Sequence, residues 1–180
     1  MLCDKREKNL IIQDIFKQHH ELAKMHPKSV NTIRIFTLMM EDGVHILLAS
    51  LKVGVNNNRT DNFCANSSIV AGIKENGELM NRAFLNECSN QTTDRHPQGM
   101  FLNEVRIPSF GKMLDTAKKA AQYIGNFRLV GWDFSVDEDG NIVLIEANMR
   151  KGGIIPNQFA HGPFFGDLTE RVLNEVFGRK

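Results

Sequence analysis

The chain has 180 residues, of which 42% are hydrophobic, and this is enough to bury the core of a single domain. Its 22 basic and 21 acidic residues leave a net charge of +1, which argues against a nucleic-acid partner held by bulk electrostatics. The longest apolar run, residues 44–51, is interrupted by His45 and Ser50 and is too short to span a membrane.

The cysteines and the first residues bear on the compartment. Cys3, Cys64 and Cys88 are far apart and form neither a CxxC pair nor a disulfide framework. The first residues lack the apolar core of a signal peptide. Together these features predict a cytoplasmic protein with reduced thiols.

Hydrophobic periodicity predicts a helix near the start of the chain. Within residues 10–23, Ile11, Ile15 and Leu22 lie at helical spacing, and Pro27 is expected to end the helix because it disfavours helical geometry in the preceding residue. We expect residues 1–28 to form a leading helix and its connection to the rest of the domain.

Three β-hairpins are predicted further along the chain, because strand-like runs alternate with short turn signals. Residues 31–40 and 44–53 flank a turn at 41–43, residues 69–74 and 79–84 flank Asn76-Gly77, and residues 129–137 and 142–148 flank Asp139-Gly140. Short turns join antiparallel strands, whereas parallel strands need long crossovers. The sheet is therefore predicted to be largely antiparallel.

Two more helices complete the predicted fold. One has an apolar stripe between Met113 and Ile124, and the other begins near the C-terminus with a capping box of Asp167 and Glu170. We therefore predict one α+β domain over residues 1–180, in which an antiparallel β-sheet has helices packed on one side.

The third hairpin carries several residues of the types that can bind metal ions. If Asp139-Gly140 is a two-residue turn, Asp133 faces Glu146, and Asn148 lies on the same face because side chains alternate along a strand. Opposed carboxylates repel one another unless a cation lies between them, and Mg²⁺ binds oxygen ligands of these kinds. The alternative is a solvated face that carries an Asp and a Glu, since a one-residue change in the turn would separate the pair.

The two faces of this hairpin differ in composition. The face opposite the carboxylates is apolar and is predicted to enter the core, with Trp132, Phe134, Val136, Val143, Ile145 and Ala147. Ile142 and Leu144 fall on the carboxylate face, which indicates that this face is covered rather than freely solvated.

Two cations in the first hairpin complement the carboxylates. Arg34 lies mid-strand, where an exposed charge is not expected, and Lys52 ends the partner strand. With a three-residue turn at 41–43, their side chains fall on one face. Arginine and lysine beside Mg²⁺ offset charge on transferring oxygens in phosphoryl chemistry. An edge-strand arginine and a solvated lysine are the alternative.

These residues resemble the ATP-grasp superfamily. Asp133, followed by Glu146-x-Asn148 at the end of the next strand, is similar to its metal-binding pattern in residue type and spacing. The wider resemblance is to the sugar-transfer-associated branch and spans residues 10–165. It is carried in order by Gln18-His19, residues 29–34 and 60–62, His96-Pro97, Ile107-Pro108, residues 131–133 and 145–148, and Gln158.

The resemblance implies the C-terminal subdomain of an ATP-grasp fold that binds ATP and two Mg²⁺ ions. Asp133 and Glu146 would hold one metal ion, and Glu146 and Asn148 would hold the other. The reaction would be phosphorylation of a carboxylate by ATP, followed by attack of an amine or another nucleophile on the acyl-phosphate.

The resemblance also implies roles for residues around the metal ions. Arg34 and Lys52 would contact phosphates and take part in catalysis. Ile145 would contact the cofactor, and Asn62 would lie near the reacting phosphoryl group. The branch is linked to capsule and exopolysaccharide synthesis, so the acceptor would be a small or sugar-linked molecule. A non-catalytic nucleotide-binding or assembly module and an amino-acid ligase remain alternatives.

Three differences from the superfamily pattern qualify these expectations. The N-terminal subdomain that supplies a lysine and the adenine-binding wall is not recognisable in these 180 residues. The chain alone is therefore expected to be inactive, and to associate with a complementary N-terminal half or with itself. Many superfamily ligases carry an arginine at the position of Gly131, and Arg34 is the candidate to replace it. A Gly-Gly pair that usually follows the Asp-Asn unit is replaced by residues 65–68, which bears on acceptor recognition.

Overall fold

The computed structural model describes residue 12 and residues 14–57, 68–85, 91–150 and 152–178. The strands in these residues are β1 (Thr32–Met40), β2 (Gly43–Gly54), β3 (Ser68–Ile73), β4 (Leu79–Phe84), β5 (Thr92–Thr93), β6 (Leu129–Val136) and β7 (Ile142–Asn148). They form one antiparallel sheet in the order β5-β4-β3-β2-β1-β6-β7. All three predicted hairpins are confirmed as β1–β2, β3–β4 and β6–β7.

The helices are α1 (His20–Ala23), α2 (Phe110–Tyr123), α3 (Ile154–His161) and α4 (Thr169–Phe177), with short 3₁₀ turns at Leu102–Glu104 and Gly166–Leu168. The predicted α+β class, with an antiparallel sheet that has helix α2 packed on one side, is confirmed. None of the helices in the described residues is long and apolar enough to cross a membrane.

Helix α2 covers one face of the sheet and forms the main hydrophobic core with it. Buried side chains of the helix and the strands meet there, among them Phe110, Met113, Ala117, Ala121, Ile33, Ile35, Leu51, Trp132 and Phe134. Burying a large apolar side chain contributes about 1.5–3 kcal/mol, so this interface is the main source of stability. The indole N–H of Trp132 donates to Thr37 Oγ1 at 2.8 Å, which satisfies its single polar atom.

Helix α3, which the sequence analysis did not predict, lies against the other face of the sheet. Its Ala160 packs with Val70 and Phe84, and Phe164 after the helix packs with Phe36. Pro156 is tolerated because it stands in the first turn, where backbone N–H groups lack helical partners. The helix covers only part of this face and leaves the polar residues of β1, β6 and β7 beside it.

The helix predicted over residues 10–23 is wrong for most of the part that the structure describes. Residues 14–19 are not helical, and α1 is a single turn from His20 to Ala23. Gln18 instead pairs with Asp137 beyond the end of β6, and the His19 N–H donates to the Val136 carbonyl at 2.8 Å. Pairing with the sheet satisfies these backbone groups, and a short amphipathic segment is too weak a helix former to compete with that pairing. Residues 10, 11 and 13 lie outside the described residues.

The first hairpin reaches the predicted register by a different route. Met40 pairs with Gly43, so the turn has two residues rather than the predicted three. An extra residue in β2, Leu47, then forms a β-bulge that restores the register, and Arg34 lies opposite Ser50. Thr32 lies opposite Lys52, two residues further along. Arg34 and Lys52 therefore share a face, as predicted.

In the third hairpin the loop is longer than predicted, and a bulge again restores the predicted register. Its loop has three residues, 138–140, rather than the predicted two, because the Asp137 carboxylate accepts the N–H groups of Asp139 and Asn141 at 3.0 and 2.7 Å. A bulge at Ile145 then brings Asp133 opposite Glu146, the pair that the sequence predicts.

The altered loop and the bulge change which side chains of β7 enter the core. Ile142 lies opposite Val136 and packs against the main core, so its predicted position on the carboxylate face is wrong. Ile145 is 49% exposed, which corrects its predicted position in the core. Leu144 lies opposite Phe134 and is 46% exposed, so it does not cover the carboxylates. A bulged residue leaves the alternation of the strand, and a prediction based on strict alternation fails from that point.

The last helix begins later than predicted. Asp167 lies within the 3₁₀ turn Gly166–Leu168, and α4 starts at Thr169 without a side-chain cap, so the predicted capping box is wrong. No residue of α4 is buried. The helix is attached through ion pairs of Arg171 with Asp42 and of Arg128 with Glu175.

Candidate functional site

A row of directly opposed residues crosses four neighbouring strands on the face of the sheet against which α3 packs, at the edge of that helix. Ser50 in β2 lies opposite Arg34 in β1, Arg34 lies opposite Asp133 in β6, and Asp133 lies opposite Glu146 in β7. Side chains at opposed positions point to the same face of a sheet. The structure therefore brings Arg34, Asp133 and Glu146 together.

Arg34 and Asp133 form a buried ion pair at the centre of this row. They are 7% and 5% exposed, respectively. The guanidinium donates from Nε to Asp133 Oδ1 and from Nη2 to Oδ2, the latter at 2.7 Å. A bidentate, charge-assisted pair of this kind is both strong and geometrically specific. Removing one partner of a buried pair costs about 3–5 kcal/mol, so Arg34 and Asp133 depend on one another.

Lys52 and Asn148 approach the same carboxylate. Lys52 Nζ lies 3.8 Å from Asp133 Oδ2, and Asn148 Nδ2 lies 3.5 Å from that oxygen. Because the Asn148 amide turns its nitrogen to Asp133, its oxygen stays available to bind a cation. The predicted residues Arg34, Lys52, Asp133 and Asn148 thus form one polar cluster.

Glu146 is the available carboxylate of the cluster. Its side chain is exposed, and it has no hydrogen-bond or ion-pair partner within the part of the chain that the structure describes. Asp133, in contrast, already has Arg34. Arg34 therefore compensates the charge of Asp133, and the opposition of the two carboxylates does not by itself require a metal ion. The metal-binding roles of Asp133, Glu146 and Asn148 stay predictions.

The donor set still fits a hard cation. In the described ranges, no three His, Cys, Asp or Glu side chains cluster as a metal site. Two carboxylates and one amide suit Mg²⁺, which is usually held by one or two protein carboxylates together with water and phosphate oxygens. They do not suit zinc, which prefers nitrogen and sulfur ligands.

A Gly-Gly turn after β7 closes one side of the cluster. Arg34 Nη1 donates to the Gly152 carbonyl, and Asn157 Nδ2 donates to the Gly153 carbonyl at 2.7 Å. The Ser50 hydroxyl donates to Asn157 Oδ1, which ties α3 to the sheet. Glycine is needed in this turn: Gly153 has φ +66°, and a Cβ on Gly152 would lie 2.9 Å from the Phe36 ring. Both residues of the Ser50–Asn157 pair were missed, although Ser50 was visible as a polar interruption of an apolar run.

Gly131 makes room for Arg34. A Cβ at this position would lie 3.2 Å from Arg34 Cδ and 3.1 Å from the Phe36 ring. The Arg34 side chain therefore lies over the residue where many superfamily ligases carry their arginine. In this chain, glycine at 131 therefore leaves free the space that the Arg34 side chain occupies.

Two buried histidines hold the end of β2, which leads toward Asn62. His96 Nε2 donates to the Gly54 carbonyl at 2.9 Å, and His26 Nε2 donates to the Asn56 carbonyl at 3.1 Å. Burial lowers the pKa of His96, so its ring stays neutral. The structure supports a structural role for His96. Asn62 lies outside the described residues, and its predicted role stays a prediction.

The cavities lie partly apart from this cluster. A small cavity of about 170 Å³ adjoins it and is lined by Phe36, Gly131, Asn148, Arg150 and Gly152 among others. A larger one of about 570 Å³ lies where β2 extends beyond β3, and it contains none of the predicted site residues. The large cavity has a mostly apolar lining of side chains such as Leu114 and Met80. Its polar lining comes from Lys74, Glu75, Lys118 and His161, none of which carries the family resemblance, so the cluster on the sheet face remains the candidate site.

Comparison with known proteins agrees with the geometry. The chain matches the model of the sugar-transfer associated ATP-grasp family over residues 2–174. No curated protein and no solved structure shows significant similarity to it. Because the match covers nearly the whole chain, the chain belongs to the sugar-transfer associated ATP-grasp family.

Proposed function

We propose that this chain is the metal- and phosphate-binding part of an ATP- and Mg²⁺-dependent ligase in bacterial surface or capsular polysaccharide biosynthesis. The reaction would activate a carboxylate as an acyl-phosphate and transfer the acyl group to a small-molecule or sugar-linked acceptor. The observation that carries the proposal is the row Arg34–Asp133–Glu146, in which a buried ion pair lies next to an exposed carboxylate, with Lys52 and Asn148 beside it. Its family membership supports nucleotide binding.

Each side chain has a proposed task. Asp133, Glu146 and Asn148 offer oxygen atoms to Mg²⁺, and Arg34 and Lys52 attract phosphate oxygens. When bound, the metal ion would offset phosphate charge during transfer. The row places the positive charge of Arg34 next to two neighbouring carboxylates, which suits a ligand that is itself a cation held by an anion.

Ile145 and Asn62 have proposed roles at the edges of the site. Ile145 is half-exposed beside Glu146, and Leu144 and Met149 are exposed nearby. We propose that these apolar groups contact the nucleotide or a complementary N-terminal half, which would complete the cleft. Asn62 would lie near the reacting phosphoryl group. The reaction would take place in the cytoplasm, where ATP is available.

A non-catalytic nucleotide-binding or assembly module is the second candidate. The bidentate Arg34–Asp133 pair favours it, because this pair stabilises the sheet without a metal ion. The two candidates differ in turnover rather than in fold. Release of ADP in the presence of candidate acceptors and a complementary half would support the ligase, whereas binding without turnover would support the module.

Calorimetric titration with ATP and Mg²⁺ tests the site. Asp133→Asn and Glu146→Gln are expected to weaken binding by about tenfold or more, since each removes a charged ligand. Asp115→Asn is the matched control, because Asp115 is exposed on α2, which packs on the opposite face. If wild type and all three variants bind equally, the site assignment is wrong.

A further inference from the structure

Arg34 and the proposed metal ion need the same oxygen atoms. Both Asp133 oxygens accept hydrogen bonds from the guanidinium, through Nε and Nη2. Lys52 adds a second positive charge 3.8 Å from one of these oxygens. A divalent cation that approaches Asp133 alone therefore meets two positive charges, and it must displace a charge-assisted hydrogen-bonded pair.

We propose that Arg34 makes this site selective for a metal–nucleotide complex over a free divalent cation. This inference rests on the proposed function and deepens it, because it names the form in which the metal ion enters. Arg34 acts as an internal counter-cation that holds Asp133 until a phosphate replaces Asp133 as its partner.

The charges of the cluster support this exchange. Arg34 and Lys52 balance Asp133 and Glu146, so the cluster is neutral and gives a free cation little net attraction. A metal–nucleotide complex brings both signs at once. Its phosphates can take over Arg34 and Lys52 while its metal ion takes over Asp133 and Glu146. Every buried charge then keeps a partner throughout, which avoids the large cost of an unpaired buried ion.

The surroundings of Arg34 allow it to change partners. Its Nη1 bonds to the Gly152 carbonyl on the side away from the carboxylate contacts of Nε and Nη2, so one bond holds the guanidinium while the others exchange. Gly131 offers no side chain beneath Arg34 Cδ. Arginine has five N–H donors, which permits a phosphate to be accepted without loss of the Gly152 contact.

The test is a titration of the 180-residue chain with Mn²⁺, followed by the electron paramagnetic resonance signal of free Mn²⁺, in the absence and presence of ATP. Because ATP itself binds Mn²⁺, a titration of ATP without protein is subtracted from the second series. The variants are Arg34→Lys, Arg34→Gln and the matched control Lys52→Gln. Arg34→Gln and Lys52→Gln each remove one positive charge near Asp133, but only the first frees both carboxylate oxygens. Arg34→Lys keeps the charge and removes the bidentate fork, and circular dichroism establishes that each variant is folded.

Both Arg34 variants are expected to bind free Mn²⁺ about tenfold more tightly than wild type, a difference of about 1.4 kcal/mol. They are also expected to lose much of the gain in Mn²⁺ affinity that ATP provides. Lys52→Gln should tighten free Mn²⁺ binding by about threefold at most, since a charge 3.8 Å away in a partly exposed position contributes less than a direct hydrogen bond. A merely structural role of Arg34 would weaken metal binding instead.

The other outcomes distinguish failure of the inference from failure of the proposed function. Equal free Mn²⁺ affinity in wild type and both Arg34 variants would overturn the inference, and the proposed function would stand if Asp133→Asn still abolishes binding of Mn²⁺ with ATP. An equal gain in Lys52→Gln and Arg34→Gln would also overturn it, in favour of a general charge effect. If Mn²⁺ with ATP does not bind wild type, or binds Asp133→Asn equally well, the proposed function falls and the inference falls with it.

Discussion

Replacement of Asn157 by alanine is expected to destabilise the fold and to loosen the turn beside the site. The side chain is 5% exposed, accepts from the fully buried Ser50 hydroxyl and donates to the Gly153 carbonyl at 2.7 Å. Each lost hydrogen bond costs about 1 kcal/mol, and a buried hydroxyl left without a partner costs about 1–3 kcal/mol more. The free energy of unfolding should therefore fall by about 3–5 kcal/mol.

A double-mutant cycle with Ser50→Ala isolates the shared bond. Ser50→Ala alone should cost about 2 kcal/mol, because it removes one bond and leaves the Asn157 oxygen unpaired. The double variant should lose about 3 kcal/mol less than the sum of the single changes, because the sum counts the shared bond twice and the double variant leaves neither partner of that bond unpaired. Urea denaturation measures all three, with Asn103→Ala at an exposed position as the control. Additive losses, or a negligible loss in Asn157→Ala, would refute the proposed link between α3 and β2.

Three further predictions follow from the packing. Gly131→Ala should lower the free energy of unfolding by about 1–3 kcal/mol, because the added Cβ would crowd Arg34. Gly125→Ala is the control, since a Cβ there has nothing within 4 Å and should leave the free energy of unfolding unchanged. Thermal denaturation compares the two variants. Because burial lowers the pKa of His96, stability should be full above pH 6.5 and fall as the pH drops below it, and His96→Gln should flatten this dependence in denaturation curves. Amides of α4, which buries no residue, should exchange with deuterium faster than those of α2.

Turn signals predict local pairing well, and they account for the part of the fold that sequence reasoning recovered. Asn76-Gly77 and Asp139-Gly140 each lie at the turn of an observed hairpin, and Gly77 and Gly140 have the positive φ that such turns require. The exact loop lengths were wrong in the first and third hairpins. A side-chain contact, that of Asp137, decides the length of the third loop, and such contacts depend on how the chain is already folded.

Long-range pairing explains what the sequence could not predict. Arg34 and Asp133 are 99 residues apart, and they meet only because β1 lies beside β6, a neighbour that no turn specifies. The same holds for Ser50 and Asn157, which are 107 residues apart. The resemblance placed Arg34 near phosphates and Asp133 near a metal ion, yet it did not indicate that the two bind one another.

The bulges at Leu47 and Ile145 explain why the site residues were grouped correctly from incorrect turns. In each hairpin the turn differs from prediction by one residue and the bulge shifts the register by one residue in the opposite sense, so opposed pairs beyond the bulge are unchanged. The residues between turn and bulge do change partners, which is why Ile142 was misplaced while Asp133 and Glu146 were not. Bulges also bend and twist strands. The bulge at Ile145 lies directly before Glu146, and the bulge at Leu47 lies between the turn and the pair of Arg34 with Ser50. Together they give the four-strand row its alignment, and the chemistry proposed for this face depends on that alignment.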